Sequence, residues 1–219
     1  IFGVTQRYAR QGKHLITSAI EHPAVLRCFQ HLARQGFEVT YLKPNAHGYI
    51  EPEQVAQALR PDTILVSIMH ANNELGVIQP IAAIAKILQG QGVLLHVDAA
   101  QTLGKIPVNA RELGADLLVL SAHKCYGPKG IGCLIIRQQP RCHIAPQILG
   151  GGQQRGLRSG TLATHQIMGF AQACRLVAQQ QDAEASRLRQ YAQQLRTVLQ
   201  SLPQVTITSP EALCLPGHI

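Results

Sequence analysis

The chain has 219 residues, 46% of them hydrophobic and 15% charged, with a formal net charge of +8 and a mean hydropathy close to zero. That is globular composition, enough for one large α/β core or one and a half smaller ones. No run of about 18 apolar residues occurs, so no membrane-spanning helix is expected, and the opening IFGVTQRYARQGK lacks the charged, apolar and cleavable order of a signal peptide.

Residues 14–20, HLITSAI, read as a strand, and residues 24–36, AVLRCFQHLARQG, as a helix closed by Gly36. A second strand follows at 37–42, then a helix at 51–59 with proline and acid in its first turn, as the helix dipole prefers. Strands are expected at 63–70, 93–100, 116–123 and 132–137, with a helix at 81–90 between the first two of these. Near-continuous apolar strands alternating with helices indicate an α/β fold with a mainly parallel sheet covered on both faces. Beyond Gly152 the composition shifts to alanine, glutamine, arginine and leucine at helical spacing from about 162 to 202, one long helix or two joined. VTITS, 205–209, reads as the start of another strand. The expected division is a large domain over 1–160 and, over 161–219, the long helix with the beginning of a small domain.

The excess of basic charge could suggest nucleic acid. The basic residues are scattered, however, and the densest group, Arg175, Arg187, Arg189 and Arg196, is diluted among glutamines. A solvated helix face is the better reading, and no nucleic acid is expected as a partner. The six cysteines, Cys28, Cys125, Cys133, Cys142, Cys174 and Cys214, form no C-x-x-C pair and no metal-like cluster with histidine. Several lie in apolar runs, where cysteine acts as a small hydrophobe, which fits a reducing cytoplasm and no metal site.

Ligands bind open parallel sheets beyond the carboxyl ends of the strands. Those ends carry His22, then HANNE with Asn72 and Asn73, then Asp98 with Gln101, then Ser121, His123 and Lys124. Each has an ordinary reading. Asp98 could cap a short helix at 99–103, the asparagines could turn the chain, and His22 could simply start a helix before Pro23. Gln101 could be a surface polar residue, Ser121 and His123 could bond loop backbone, and Lys124 alone would more often be an exposed bystander. Together they describe a site. The chemistry that uses all of them is that of pyridoxal phosphate. It needs a lysine amine for a Schiff base, a carboxylate to keep the pyridine nitrogen protonated, and hydroxyl and imidazole groups for the phosphate.

Three segments, HVDAAQTLGKIPV, SAHKCYGPKGIG and GGGQQRGLRSGTLATHQIMG, closely resemble the NifS/IscS-type cysteine desulfurases, class V aminotransferases of fold-type I. EHPAVL and SIMHANNELGVIQPI match the same family in order and spacing. The resemblance implies that Lys124 holds pyridoxal 5'-phosphate and later moves protons at the substrate Cα. It implies that Asp98 pairs with the ring nitrogen, Gln101 bonds the phenolic oxygen, and His22 stacks on the ring and helps with proton transfer as a second catalytic residue. Asn73 is expected near the phenolic oxygen and the substrate carboxylate. Ser121 and His123 are expected to bind the phosphate, joined by Thr161 across a homodimer interface. The implied reaction takes L-cysteine to L-alanine and passes sulfur to a cysteine persulfide, feeding an iron–sulfur scaffold or another sulfur acceptor.

The chain departs from the family at both ends, which read as cut. It lacks the family's SGATE-type phosphate loop upstream, and downstream it lacks the sulfur-accepting cysteine and the arginine for the substrate carboxylate. The 219 residues are therefore expected to lack turnover alone. Cys125 follows the lysine where an apolar residue is usual and reads as packing, and Ala122 stands where glycine is common. Selenocysteine lyase is the neighbouring enzyme reading, although RSGTL leans towards a desulfurase. A non-catalytic dimerisation or scaffold module is the third.

Overall fold

The computed structural model describes residues 1–140, 142–208 and 211–219. In chain order the elements are α1 (Phe2–Tyr8), β1 (His14–Ser18), α2 (Pro23–Arg34), β2 (Glu38–Leu42), α3 (Pro52–Ala58), β3 (Thr63–Ser67) and α4 (Ile81–Leu88). They continue with β4 (Leu94–Asp98), β5 (Leu117–Ser121), β6 (Gly132–Ile136) and α5 (Thr164–Gln200). The sheet order is β2-β1-β3-β4-β5-β6. All neighbours are parallel except β5 and β6, which run antiparallel at the edge. The expected mainly parallel sheet is present.

The central strands β1, β3 and β4 are buried along nearly their whole length because both faces are covered, and successive residues serve opposite sides. Leu15, Leu65, Leu94 and Leu117 pack with Phe29 and Leu32 of α2 and Val4 of α1. Their neighbours Ile16, Val66, Leu95 and Leu118 pack with Val55 of α3 and Ile84 of α4 on the other face. Phe29 is fully buried. Polar residues inside the sheet find partners: His14 bonds Thr63 Oγ1 at 2.7 Å and Thr40 Oγ1 at 2.9 Å, and His96 bonds Ser67 Oγ at 2.8 Å.

Local signals set the helix limits. Pro23 opens α2, and Gly36 at φ +87° lets the chain leave it. α3 carries a capping box, with Glu51 N–H donating to Gln54 Oε1 at 3.0 Å. Several strands are shorter than the sequence suggests, because the chain turns directly after the polar residues that end them, Asp98 and Ser121. Residues 99–100 and 122–123 leave the strands in this way.

The alanine- and glutamine-rich stretch forms one helix, α5, of 37 residues. Phe170, Ala173 and Val177 bury its first part against Ala122 and Cys125. Arg196 departs from the solvated face expected of it: it is buried and donates to the His218 carbonyl oxygen at 3.2 Å. Arg187 instead stays exposed, bonded to Glu184 and lying 5.3 Å from the Tyr191 ring centre. The strand expected at 205–209 does not form over 205–208, and Ser209 lies outside the described residues. A strand needs a neighbour to satisfy its backbone, and Val205 is exposed and pairs with no strand among the described residues. Among the described residues no helix is long and apolar enough to cross a membrane.

Candidate cofactor site

The carboxyl ends of β1, β3, β4 and β5 are brought level by their pairing, Thr17 with Ser67, Ser67 with His96 and Asp98 with Val119. Backbone bonds extend past the strands and tie the following loops together. His70 N donates to Asp98 O at 2.8 Å, and Ala99 N donates to Val119 O at 2.9 Å. Residues distant in sequence therefore meet along one edge, as the strand-end argument requires.

Asp98, half-buried, ends β4. Its Oδ1 accepts from Ala100 N at 2.9 Å, which caps the turn after the strand. The cap uses one of the two acceptor atoms of the carboxylate. On the neighbouring strand, Ser121 Oγ lies 3.0 Å from His123 Nδ1, and Lys124 follows on a 3-10 turn, Ala122–Cys125, with its side chain exposed. Tyr126 turns the chain away in the left-handed region at φ +65°, and Gly127 N donates back to Ala122 O at 2.9 Å. A β-carbon at Gly127 would lie 3.0 Å from that same oxygen, so the turn has little room for a side chain.

Ala122 is fully buried in the cluster beneath α5, so its methyl group is accommodated. Cys125 is also buried there, its Sγ donating to Ala122 O at 3.3 Å, and burial pushes its thiol pKa up. It packs, as its apolar surroundings suggested.

The remaining expected residues divide. His22 is exposed at the start of α2, where its Nδ1 accepts from Ala24 N at 3.1 Å. Asn72 is the structural asparagine of the pair: it is buried, donates to Ile20 O at 2.9 Å, and accepts from the N–H groups of Glu74 and Leu75. Asn73 is half-buried, and its backbone bonds His218. Gln101 is half-buried on the turn after β4, its Oε1 accepting from Lys105 Nζ at 3.1 Å. Thr161 stands apart from the strand ends on the exposed loop before α5. This chain does not bring it to the others by any hydrogen bond among the described residues.

Two residues of this edge escaped sequence reasoning. Glu21 is buried at the end of β1, where its Oε1 accepts from Ser18 Oγ and from Met69 N, each at 2.8 Å. Burial pushes its carboxyl pKa up to about 8, with the Asp98 charge adding to the rise and the two hydrogen bonds opposing it. The signal was a carboxylate just past a buried strand, the same signal that marked Asp98. Lys105 is the other, half-buried four residues after Gln101 on an irregular turn that carries no periodic signal.

The aminotransferase class-V family matches residues 1–219. The cysteine desulfurase IscS of Azotobacter vinelandii is 48% identical over 219 residues, covering 100% of this chain and 54% of its own length. The IscS of Aeromonas hydrophila gives the same 48%, 100% and 54%. Among solved structures, a NifS-like protein superposes with a TM-score of 0.93 at 38% identity, over 98% of this chain and 58% of its own. DndA from Streptomyces lividans superposes with a TM-score of 0.85 at 40% identity, over 98% and 61%. The chain thus spans about half the length of the curated relatives it matches.

Proposed function

Since the chain belongs to the aminotransferase class-V family, we propose that it is the cofactor-holding part of a pyridoxal-phosphate-dependent cysteine desulfurase. The observation that carries this reading is the pairing of β4 with β5, which sets Asp98 and the Ser121–His123–Lys124 segment at adjacent strand ends. The donor set fits the cofactor. A hydroxyl and an imidazole stand 3.0 Å apart beside an exposed lysine that has no ion-pair partner among the described residues, and a carboxylate ends the next strand. When bound, pyridoxal phosphate supplies an electron-poor ring that accepts the electron pair left on the substrate Cα.

In this reading each residue does one task. Ser121 and His123 hold the phosphate, and Thr161 of a partner copy completes that cradle. Asp98 keeps a proton on the ring nitrogen, which makes the ring a better electron acceptor. His22 covers one ring face, while Gln101 and Asn73 bond the phenolic oxygen, Asn73 also facing the substrate carboxylate. Lys124 would hold the cofactor and, with substrate bound, would carry the proton from Cα. The substrate C–S bond breaks as a cysteine thiolate takes the sulfur, leaving L-alanine and a protein persulfide for an iron–sulfur scaffold or another acceptor. Cys125 and Cys142 are not proposed as that thiolate: both are buried, and burial pushes the Cys142 thiol up to about 11.

A homodimer fits the apolar groups left on the surface, among them Leu149 at 79% and Met168 at 69% exposure, close to the loop that bears Thr161. Free cysteines fit the reducing cytoplasm as its compartment. The test is to give L-cysteine and a reductant to the protein that carries this chain. Alanine and sulfide in equal amounts, both lost in Lys124→Ala, are expected. Absence of both products from the unaltered protein refutes the proposal, and selenide release from selenocysteine without sulfide release from cysteine would make it a lyase instead.

A further inference from the structure

Lys105 occupies an unusual place for a lysine. It is half-buried on the irregular turn after β4, where its backbone N donates to Thr102 O at 3.0 Å and the preceding Gly104 is left-handed at φ +81°. Its ammonium donates to Gln101 Oε1 at 3.1 Å. Lys124 shares the lining of the same cleft, together with Glu184 of α5. His218, from the C-terminal segment, is close enough to feel the Lys105 charge. Burial first, and the Lys124 charge second, hold the Lys105 pKa below the ordinary lysine value. The fold thus keeps two amines near each other against their mutual repulsion.

A glutamine amide has two chemically opposite ends. Oε1 accepts, Nε2 donates, and a half-turn of the side chain exchanges them. An ammonium group only donates. By taking Oε1, Lys105 removes one of the two orientations and leaves Nε2 as the end available to an acceptor.

Resting on the cofactor reading above, we infer that Lys105 is a positioning residue that locks the Gln101 amide, so that Gln101 donates to the cofactor's phenolic oxygen and cannot accept there. A donor at that oxygen stabilises its anion, and so eases loss of the proton shared between it and the Lys124 linkage. Without Lys105 the amide can turn its own oxygen inward while the phenolic oxygen holds the proton, which favours the protonated form, and the donor is no longer fixed for the anion. The titratable groups around Lys105 are Lys124 from the turn after β5 and Glu184 from α5, which line the same cleft, and His218 from the C-terminal segment, whose pKa the Lys105 charge lowers. Of these, Lys124 repels its charge.

The experiment is a pH titration of the visible absorbance of the pyridoxal-phosphate-loaded protein, for the unaltered chain, Lys105→Met, Lys105→Arg, Gln101→Leu and the Lys105→Met, Gln101→Leu double variant. Lys105→Met is expected to move the titration midpoint upward by about one pH unit. Arginine, which also only donates, is expected to restore it. In the Gln101→Leu background the added Lys105→Met change should move the midpoint much less, because the amide it orients is gone. An unmoved midpoint in Lys105→Met overturns the inference. So does a shift of full size in the Gln101→Leu background, which would mean that the Lys105 charge acts on the linkage directly. Absence of any Lys124-dependent band in the unaltered protein removes the cofactor reading itself, and the inference with it.

Discussion

Replacing Glu21 with glutamine removes one titration and little else. Glu21 is 4% exposed, and its Oε1 accepts from Ser18 Oγ and Met69 N; a glutamine Oε1 accepts the same two bonds. Its Oε2 is buried with no partner among the described residues, so an amide N–H there replaces an acid O–H. Burial raises the carboxyl pKa from its ordinary 4.5 to about 8, and at pH 7 the folded protein keeps it neutral while the unfolded chain ionises. Because the folded pKa is the higher, the folded state binds more protons across this window. Stability is then fully present below the unfolded pKa and is lost as pH rises towards the folded one.

At about 1.4 kcal/mol per pH unit, the penalty at pH 7 is about 3 kcal/mol. Glu21→Gln carries no such penalty. Its urea midpoint should match the unaltered protein near pH 4.5 and exceed it increasingly towards pH 8. With a urea dependence of about 1–3 kcal/mol per M, the gap at pH 7 is roughly 1 M or more. Equilibrium urea unfolding followed by circular dichroism over this range measures it. A gap that stays constant with pH, or a glutamine variant less stable at pH 8, refutes the picture of a buried neutral carboxyl.

Two histidines act in the opposite sense at lower pH. Burial holds His96 down to about 3 and His70 down to about 4, against an ordinary 6.5. The unfolded chain therefore binds more protons below pH 6.5, and each histidine should cost about 1.4 kcal/mol per pH unit as the pH falls from there towards its folded value; His96→Gln should flatten that acid limb, measured as unfolding midpoint against pH. Gly104→Ala should destabilise by about 1–3 kcal/mol, since a β-carbon on this left-handed residue would lie 2.9 Å from Val177 Cβ. Adding Val177→Ala should recover only a small part of that loss in thermal unfolding, because it removes Cγ1 and Cγ2 at 3.1 and 3.2 Å but keeps the Cβ at 2.9 Å; full recovery would contradict this placing of the strain.

The strands were legible because both sheet faces are buried, so Leu15–Ile16, Leu65–Val66 and Leu94–Leu95 read as unbroken apolar runs. The seven-residue α1 was not: it has no capping side chain and no acid in its first turn, and packing through Val4 carries it. Val205–Thr208 had the composition of a strand and lacks the neighbour that would make it one. Arg196 looked like a solvated charge because its partner, the His218 carbonyl, is distant in sequence. At the candidate site, Asp98, Ser121, His123 and Lys124 stood out as polar residues ending apolar strands. Glu21 did not, because its neighbours His22 and Pro23 read as the start of a helix and its partner Met69 N comes from another strand end. Lys105 was hidden by an irregular turn whose bonds to Thr102 give it no periodic pattern.

The central claim is that one amine, that of Lys124, forms the bond to pyridoxal phosphate beside Asp98. Borohydride reduction of the loaded protein, followed by proteolysis and peptide mass mapping, makes that bond permanent and locates it. The account predicts a single phosphopyridoxyl label on the peptide containing Lys124, sharply reduced in Asp98→Ala. A label spread over exposed lysines, or concentrated on Lys105, would contradict it.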